Sequence, residues 1–260
     1  MKKIIKLLLI LFGIWLCTPF TVLVLGSDAY KGKPLKGSRT DGMILVKVTP
    51  LLAKVRMVSI PRDTYAEIPC EIGKNDKITH AHAFGGTKCA KQAVERLLDT
   101  KVNNTVLFRF DDVVSLTDII DGVDIVANHS FVQDGQKFVE GESYNIKGER
   151  ALAYTRHRKT DSAFKRDERQ RQVIQGIVKK LLNPLNWKYI PNVASYTLKN
   201  MEIKFNPIRV ISAVPALLIH GGKFEQMEIK GDGMKKGGVY YFNPSEESMN
   251  EAKRKFKVFF

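Results

Sequence analysis

A chain of 260 residues has room for one good-sized domain or at most two small ones. With 44% hydrophobic and 27% charged residues it can build a packed core, which excludes wholesale disorder. Lys and Arg outnumber Asp and Glu by 42 to 27, a formal net charge of +15 that favours a polyanionic partner, while three cysteines are too few for a disulfide scaffold and lack metal-site spacing.

Residues 1–6 read MKKIIK, and residues 7–25 follow without a charge. A cationic start before an apolar run is the pattern of an export signal, and positive charge stays on the cytoplasmic side. Residues 1–20 are therefore predicted to be a cytoplasmic tip and a single-pass signal-anchor helix in the cytoplasmic membrane. Residues 21–260 would then lie outside as one extracytoplasmic domain. No small-x-small site precedes Ser27, which favours an uncleaved anchor over a removed signal or an internal hydrophobic helix. Cys17 falls in the apolar run, leaving Cys70 and Cys89 as the pair in the rest of the chain. An oxidising compartment invites a disulfide between them, with two independent thiols as the other reading.

Residues 21–25 are predicted as a first strand, followed by a polar, glycine-rich loop over 27–38. Residues 42–48 and 54–60 are β-rich runs separated by Thr49-Pro50, a strand–turn–strand pattern. Residues 89–98 have helical spacing, with Ala90, Val94, Leu97 and Leu98 on one side. Residues 106–110 read as a strand, after which Asp111 caps a helix through Ile120 that stops at Asp121-Gly122. A short strand over 123–127 follows, then helices over 148–155 and 166–182, the second ended by Asn183-Pro184. A further helix over 207–220, strands over 224–229 and 239–242, and a short helix from Ser245 complete the pattern. Strands interleaved with helices imply an α/β domain with helices packed on the faces of a sheet.

Four clusters carry chemistry. Asp28 directly follows the first predicted strand, and Asp41, in Arg39-Thr40-Asp41, directly precedes the next. Adjacent strands would bring both carboxylates to one sheet edge, a donor set suited to Mg²⁺, although two turn-capping aspartates would read the same. Arg62 and Asp63 in SIPRDT end the third strand, where α/β sheets commonly line a ligand crevice. Lys77 in KITHAHAFGG offers a point charge to a phosphate, whereas His80 and His82 are too few for a metal site. In the fourth cluster Arg166, Gln170, Ile174, Ile177 and Leu181 fall at helical steps, so two polar groups continue an apolar, core-facing stripe. Arg156 and Arg158 converge on that helix end if the chain unwinds after Thr155. Arg171, one step round from Gln170, is expected to be a bystander. An apolar groove crowned by arginines suits an amphiphile with an anionic head.

The ordered motifs GSDA, SRTDGMILV, VSIPRDTY, KITHAHAFGG and ALAYTRHRKTDSAFKRDERQRQVI resemble those of the LytR-CpsA-Psr family, nearly from Val22 to the tail Gly237-Gly238-Val239-Tyr240-Tyr241-Phe242. The resemblance implies an α-β-α sandwich with a central mixed sheet, preceded by an N-terminal membrane-anchor helix. It implies a phosphotransferase that moves a teichoic-acid-like or capsular glycopolymer from an undecaprenyl-pyrophosphate carrier to peptidoglycan. By that likeness Asp28 and Asp41 match the Mg²⁺ (or Mn²⁺) ligands. Arg62, Lys77, Arg156, Arg158, Arg166 and Gln170 match groups around the pyrophosphate, with Arg39 and Asp63 nearby, and Arg62, Asp63, Arg156 and Arg158 are the candidate catalytic residues. Family members often carry Arg where this chain has Tyr30, which puts one phosphate contact in doubt. A polyisoprenyl-phosphate-binding or pyrophosphatase-like protein that transfers no polymer is the alternative. Nucleic acid is not an expected partner, since the export signal opposes it and no helix-turn-helix or aromatic RNA platform is present.

Overall fold

Along Phe20–Ser27, the first strand (β1), Leu23 and Leu25 face one side of a sheet and Val22 and Val24 the other. Apolar residues on both sides of a period-two pattern need cover on both faces. A computed structural model supplies that cover; it describes residues 6, 13, 15, 17–29, 32–52, 54–71, 73–157, 160, 163–206, 214, 218 and 225–258. β1 pairs antiparallel with β2 (Thr40–Thr49), which pairs antiparallel with β3 (Lys54–Ser59). A small antiparallel pair, β4 (Tyr65–Glu67) and β5 (Asn75–Lys77), then leads into α1 (His80–Leu98). β6 (Asn104–Arg109) returns parallel to β1 and passes directly into α2 (Phe110–Ile119).

β7 (Val123–Val126), β8 (Phe131–Gln133), β9 (Gln136–Phe138) and β10 (Ser143–Ile146) form two small pairs, β7 with β10 and β8 with β9. Helices α3 (Gly148–Arg156) and α4 (Ala163–Leu182) follow, then a 3-10 segment over Pro184–Tyr189 and α5 (Ile190–Asn200). The last elements are β11 (Glu202–Lys204), β12 (Glu225–Glu228), the hairpin β13 (Gly231–Lys236) and β14 (Val239–Pro244), and α6 (Glu246–Phe256). The main sheet runs β11-β6-β1-β2-β3-β12, parallel at β1/β6 and β3/β12 and antiparallel elsewhere, so it is mixed. Ala90, Val94 and Leu98 of α1 and Phe256 of α6 cover the face that carries Leu23, Leu25 and Leu45. Val113 of α2, Tyr154 of α3 and Val173 of α4 cluster with Phe108 and Val24 on the other face. The α/β reading with a mixed central sheet therefore holds.

Several local expectations shift. The helix foreseen at 89–98 begins at His80, because it continues across a kink at Gly85 and Gly86, whose backbone is not helical. Asp112, not Asp111, closes the start of α2: its Oδ2 accepts from the Arg109 N–H at 2.8 Å. The helix does stop at Asp121 and Gly122, both at positive φ. Pro184 ends α4 as expected, but a helix then resumes with Pro191 in the first turn of α5, where proline's missing N–H costs nothing. The predicted 207–220 helix lies outside the described residues except for 214 and 218, as does Tyr30. So does most of the predicted anchor; among the described residues no helix is long and apolar enough to cross a membrane.

Candidate active site

Because β1 and β6 are parallel and β2 runs antiparallel between β1 and β3, the ends of β1, β3 and β6 and the start of β2 share one sheet edge. Asp28, Asp41, Arg62 and Phe110 are gathered there by topology alone. The register places Gly26 opposite Gly42 but Ser27 opposite Thr40, so Asp41 is the extra residue of a β-bulge. In an unbroken strand Asp41 would follow Met43 and Leu45 toward α1. A bulge re-aims the side chain it carries. Here Asp41 joins Ser27, Asp28, Phe110, Thr155, Arg156, Arg166 and Gln170 around a cleft of about 340 Å³.

Asp28 is held by its own loop. Its N–H donates to the Arg39 carbonyl at 3.0 Å, and its Oδ1 accepts from the Arg39 N–H at 2.9 Å. Ser27 Oγ and Ser38 Oγ lie 2.7 Å apart, and the Nδ1 of buried His82 is 2.8 Å from the Ser38 carbonyl. Arg39 thus enters the site through its backbone, while the residue itself is exposed. His82 is a structural clamp on the loop.

Arg62 Nη1 lies 3.1 Å from both carboxylate oxygens of Asp41, and its Nε is 3.5 Å from Asp63. Burial works against the Arg62 charge, but Asp41 and then Asp63 outweigh it and hold the guanidinium pKa above its ordinary value. Lys77 Nζ reaches Asp63 Oδ1 at 2.8 Å, so Asp41, Arg62, Asp63 and Lys77 form one alternating ionic line. Among the described residues no three His, Cys, Asp or Glu side chains gather to hold a metal. A cation at Asp28 and Asp41 would draw its other ligands from phosphate or water, the donor set that Mg²⁺ accepts.

On the opposite wall α3 remains helical through Arg156 and leaves helical geometry at His157 (φ −58, ψ 133). Arg156 Nη2 pairs with Asp111 at 2.8 Å, and Arg158 lies outside the described residues. Arg166 and Gln170 are buried at 3% and 9% exposure on the cleft side of α4, as the helical spacing predicted. Arg169 is fully buried: its Nε donates to the Tyr154 carbonyl at 2.9 Å and its Nη2 to the His157 carbonyl at 2.7 Å, tying down the end of α3. Arg171 is not among the residues that line the cleft. It is 2% exposed and donates to Ser59 and, at 2.9 Å, to Glu228, at the ends of β3 and β12.

Below the cleft an apolar groove is lined by Val24, Gly26, Gly42, Ile44, Phe108, Phe110, Val113, Thr155, Gln170 and Ile174. It shares Phe110, Thr155 and Gln170 with the cleft. The Phe110 ring lies against the two glycines: a Cβ on Gly26 would stand 3.0 Å from it and one on Gly42 3.6 Å. Only about 20 Å³ is free, little more than a water needs. Ile174 lines the groove, while Ile177 sits in the core cluster behind it. Phe110 escaped the sequence reading because it closes a predicted strand, and no period marks a ring that spans two glycines on other strands. Cationic side chains thus stand beside a narrow apolar groove.

A family model described as the LytR_cpsA_psr family matches residues 17–258. The chain is 36% identical over 246 residues to the polyisoprenyl-teichoic acid–peptidoglycan teichoic acid transferase TagU of Bacillus subtilis, spanning 92% of this chain and 77% of that protein. The crystal structure of B. subtilis TagU has a TM-score of 0.72 at 31% identity and covers 94% of this chain and 99% of that one. The structure of TagT bound to LIIa-WTA has a TM-score of 0.74 at 27% identity and covers 92% of this chain and 89% of that one.

Proposed function

The chain belongs to the LytR_cpsA_psr family, and from that premise we propose that it transfers a teichoic-acid-like glycopolymer from an undecaprenyl-pyrophosphate carrier to peptidoglycan at the outer face of the cytoplasmic membrane. The observation that carries the reading is the continuity of the cleft holding Asp28, Asp41, Arg156 and Arg166 with the apolar groove through Phe110, Thr155 and Gln170. A pyrophosphate head in the cleft would leave its prenyl tail facing that groove. Opening the groove requires the Phe110 ring to move.

In the reaction an acceptor hydroxyl oxygen bonds to the polymer-bearing phosphorus. The bond from that phosphorus to the bridging oxygen breaks, prenyl phosphate departs with the bridging oxygen, and the hydroxyl proton passes to a carboxylate or to solvent. Such transfer depends on positioning and on neutralising charge. Arg62, Arg156 and Arg166 orient the phosphate oxygens, and Lys77 holds Asp63 beside them. Mg²⁺ (or Mn²⁺) bound by Asp28 and Asp41 would neutralise the pyrophosphate and the departing phosphate. Both aspartates point at oxygen chemistry, which suits that hard ion.

The test is a purified transfer reaction with undecaprenyl-pyrophosphate-linked polymer and peptidoglycan, reading polymer covalently attached to the wall. Attachment that EDTA abolishes and Mg²⁺ restores is expected. Release of free polymer or phosphate without attachment would overturn transfer in favour of a pyrophosphatase-like activity.

A further inference from the structure

The ionic line does not end at Lys77. Its Nζ lies 5.9 Å from the centre of the Tyr241 ring, and Tyr241 meets Tyr65 edge-to-face at 5.2 Å and 76°. The Tyr65 hydroxyl accepts from Lys236 Nζ at 2.6 Å. Asp76 of β5 is within reach of both Tyr241 and His80: His80 Nδ1 is 2.7 Å from Asp76, and its ring lies 5.8 Å from that of Phe84, which is 53% exposed. The hairpin β13–β14 is fastened to the catalytic loop, since the Phe242 N–H donates to the Asp63 carbonyl at 2.8 Å and Phe242 bridges Thr64. The result is a partly exposed shelf of rings interleaved with a carboxylate, an imidazole and an ammonium.

We infer that this shelf, built from Tyr65, Tyr241, His80 and Phe84, holds the glycan strand that accepts the polymer. The inference rests on the transfer reading above. The chemistry of the shelf fits a pyranose: ring faces pack on its C–H face, and Asp76, His80 and Lys236 address its hydroxyls. Its place fits the reaction as well. A displacement at phosphorus sets nucleophile and leaving group on opposite sides. The prenyl phosphate departs on the side of Phe110 and the groove, whereas the shelf begins beyond Arg62 and Asp63, on the other side of Asp41.

Three variants test it: Phe84→Ala, Tyr241→Ala and Tyr241→Phe. Phe84 is exposed, so its removal leaves folding intact. The probe for binding alone is a β-1,4-linked N-acetylglucosamine hexamer, followed by NMR titration. The two alanine variants are expected to weaken hexamer binding about tenfold each and to raise KM for the glycan acceptor by a similar factor. Tyr241→Phe, which keeps the ring, should stay within about twofold of wild type, and KM for the lipid-linked donor should not move in any of the three. Hexamer binding that is equal in wild type and both alanine variants would overturn the inference. So would a rise in donor KM with acceptor KM unchanged, which would give the shelf to the donor polymer. If the wild type binds the hexamer through these rings but attaches no polymer, the transfer reading fails while the glycan shelf stands.

Discussion

Nη1 of Arg62 is equidistant, at 3.1 Å, from the two carboxylate oxygens of Asp41. One guanidinium nitrogen from the end of β3 thus spans the carboxylate that the bulge in β2 turns into the cleft. The pair is a preset charge couple: on the proposed reading a phosphate would draw the arginine and a divalent ion the aspartate, without either group being left alone.

That coupling predicts non-additive kinetics. Asp41→Asn and Arg62→Gln should each lower the rate of polymer attachment about a hundredfold or more. The double variant should be little worse than the weaker single one. Full additivity in single-turnover assays, with circular dichroism confirming the fold, would show that the two act separately.

Arg166 and Arg171 should separate function from stability. Arg171→Ala removes a buried charged donor from Ser59 and Glu228, although half-exposed Glu228 keeps access to water. The expected loss in urea melts is about 1.5–3 kcal/mol. Arg166→Ala should instead lose undecaprenyl phosphate in native mass spectrometry with a smaller change in the melt. Equal effects of the two substitutions on lipid capture would remove this distinction.

Cys70 and Cys89 are bridged, with Cα atoms 5.7 Å apart. The bond closes a loop that carries β5, Lys77 and the Gly85–Gly86 kink. Reduction, or Cys89→Ser, should lower stability by about 2–4 kcal/mol. Gly85 passes directly over the bridge: a Cβ there would stand 2.6 Å from Cys89 Cβ and 2.7 Å from Cys70 Sγ. Gly85→Ala should therefore destabilise the oxidised protein and do so less after reduction. Free thiols at both positions in protein isolated from its native host would remove the bridge from the account.

Alkaline stability should report on Tyr154. Burial pushes its hydroxyl from the ordinary 10.0 up to about 12. A raised pKa means the folded state favours the neutral form. That stabilisation is complete below pH 10 and is lost as pH rises toward 12. Urea midpoints measured across that window should fall in the wild type and fall less in Tyr154→Phe. Parallel curves would mean that the buried hydroxyl does not govern the alkaline limb.

Much of this molecule is written in local pattern. Alternating apolar residues in β1 required cover on both faces, and the steps from Arg166 to Leu181 placed Arg166 and Gln170 on the inward side of α4. Asp28 and Asp41 could be assigned to one sheet edge because one follows the first predicted strand and the other stands at the start of the next, although β2 in fact begins at Thr40 and takes Asp41 into the strand. These are short-range matters of period and punctuation. The spacing that placed Gln170 said nothing of Arg171, whose burial depends on Ser59 and Glu228 arriving from strands 112 and 57 residues away. Nor could it foresee the bulge that turns Asp41 away from the side of Met43, since register belongs to two strands together. Phe110 over Gly26 and Gly42, and Tyr241 beside Lys77 and Tyr65, are likewise contacts among distant segments. A side chain's period tells which face of its own element it occupies. What waits on that face is decided only when the other elements pack against it.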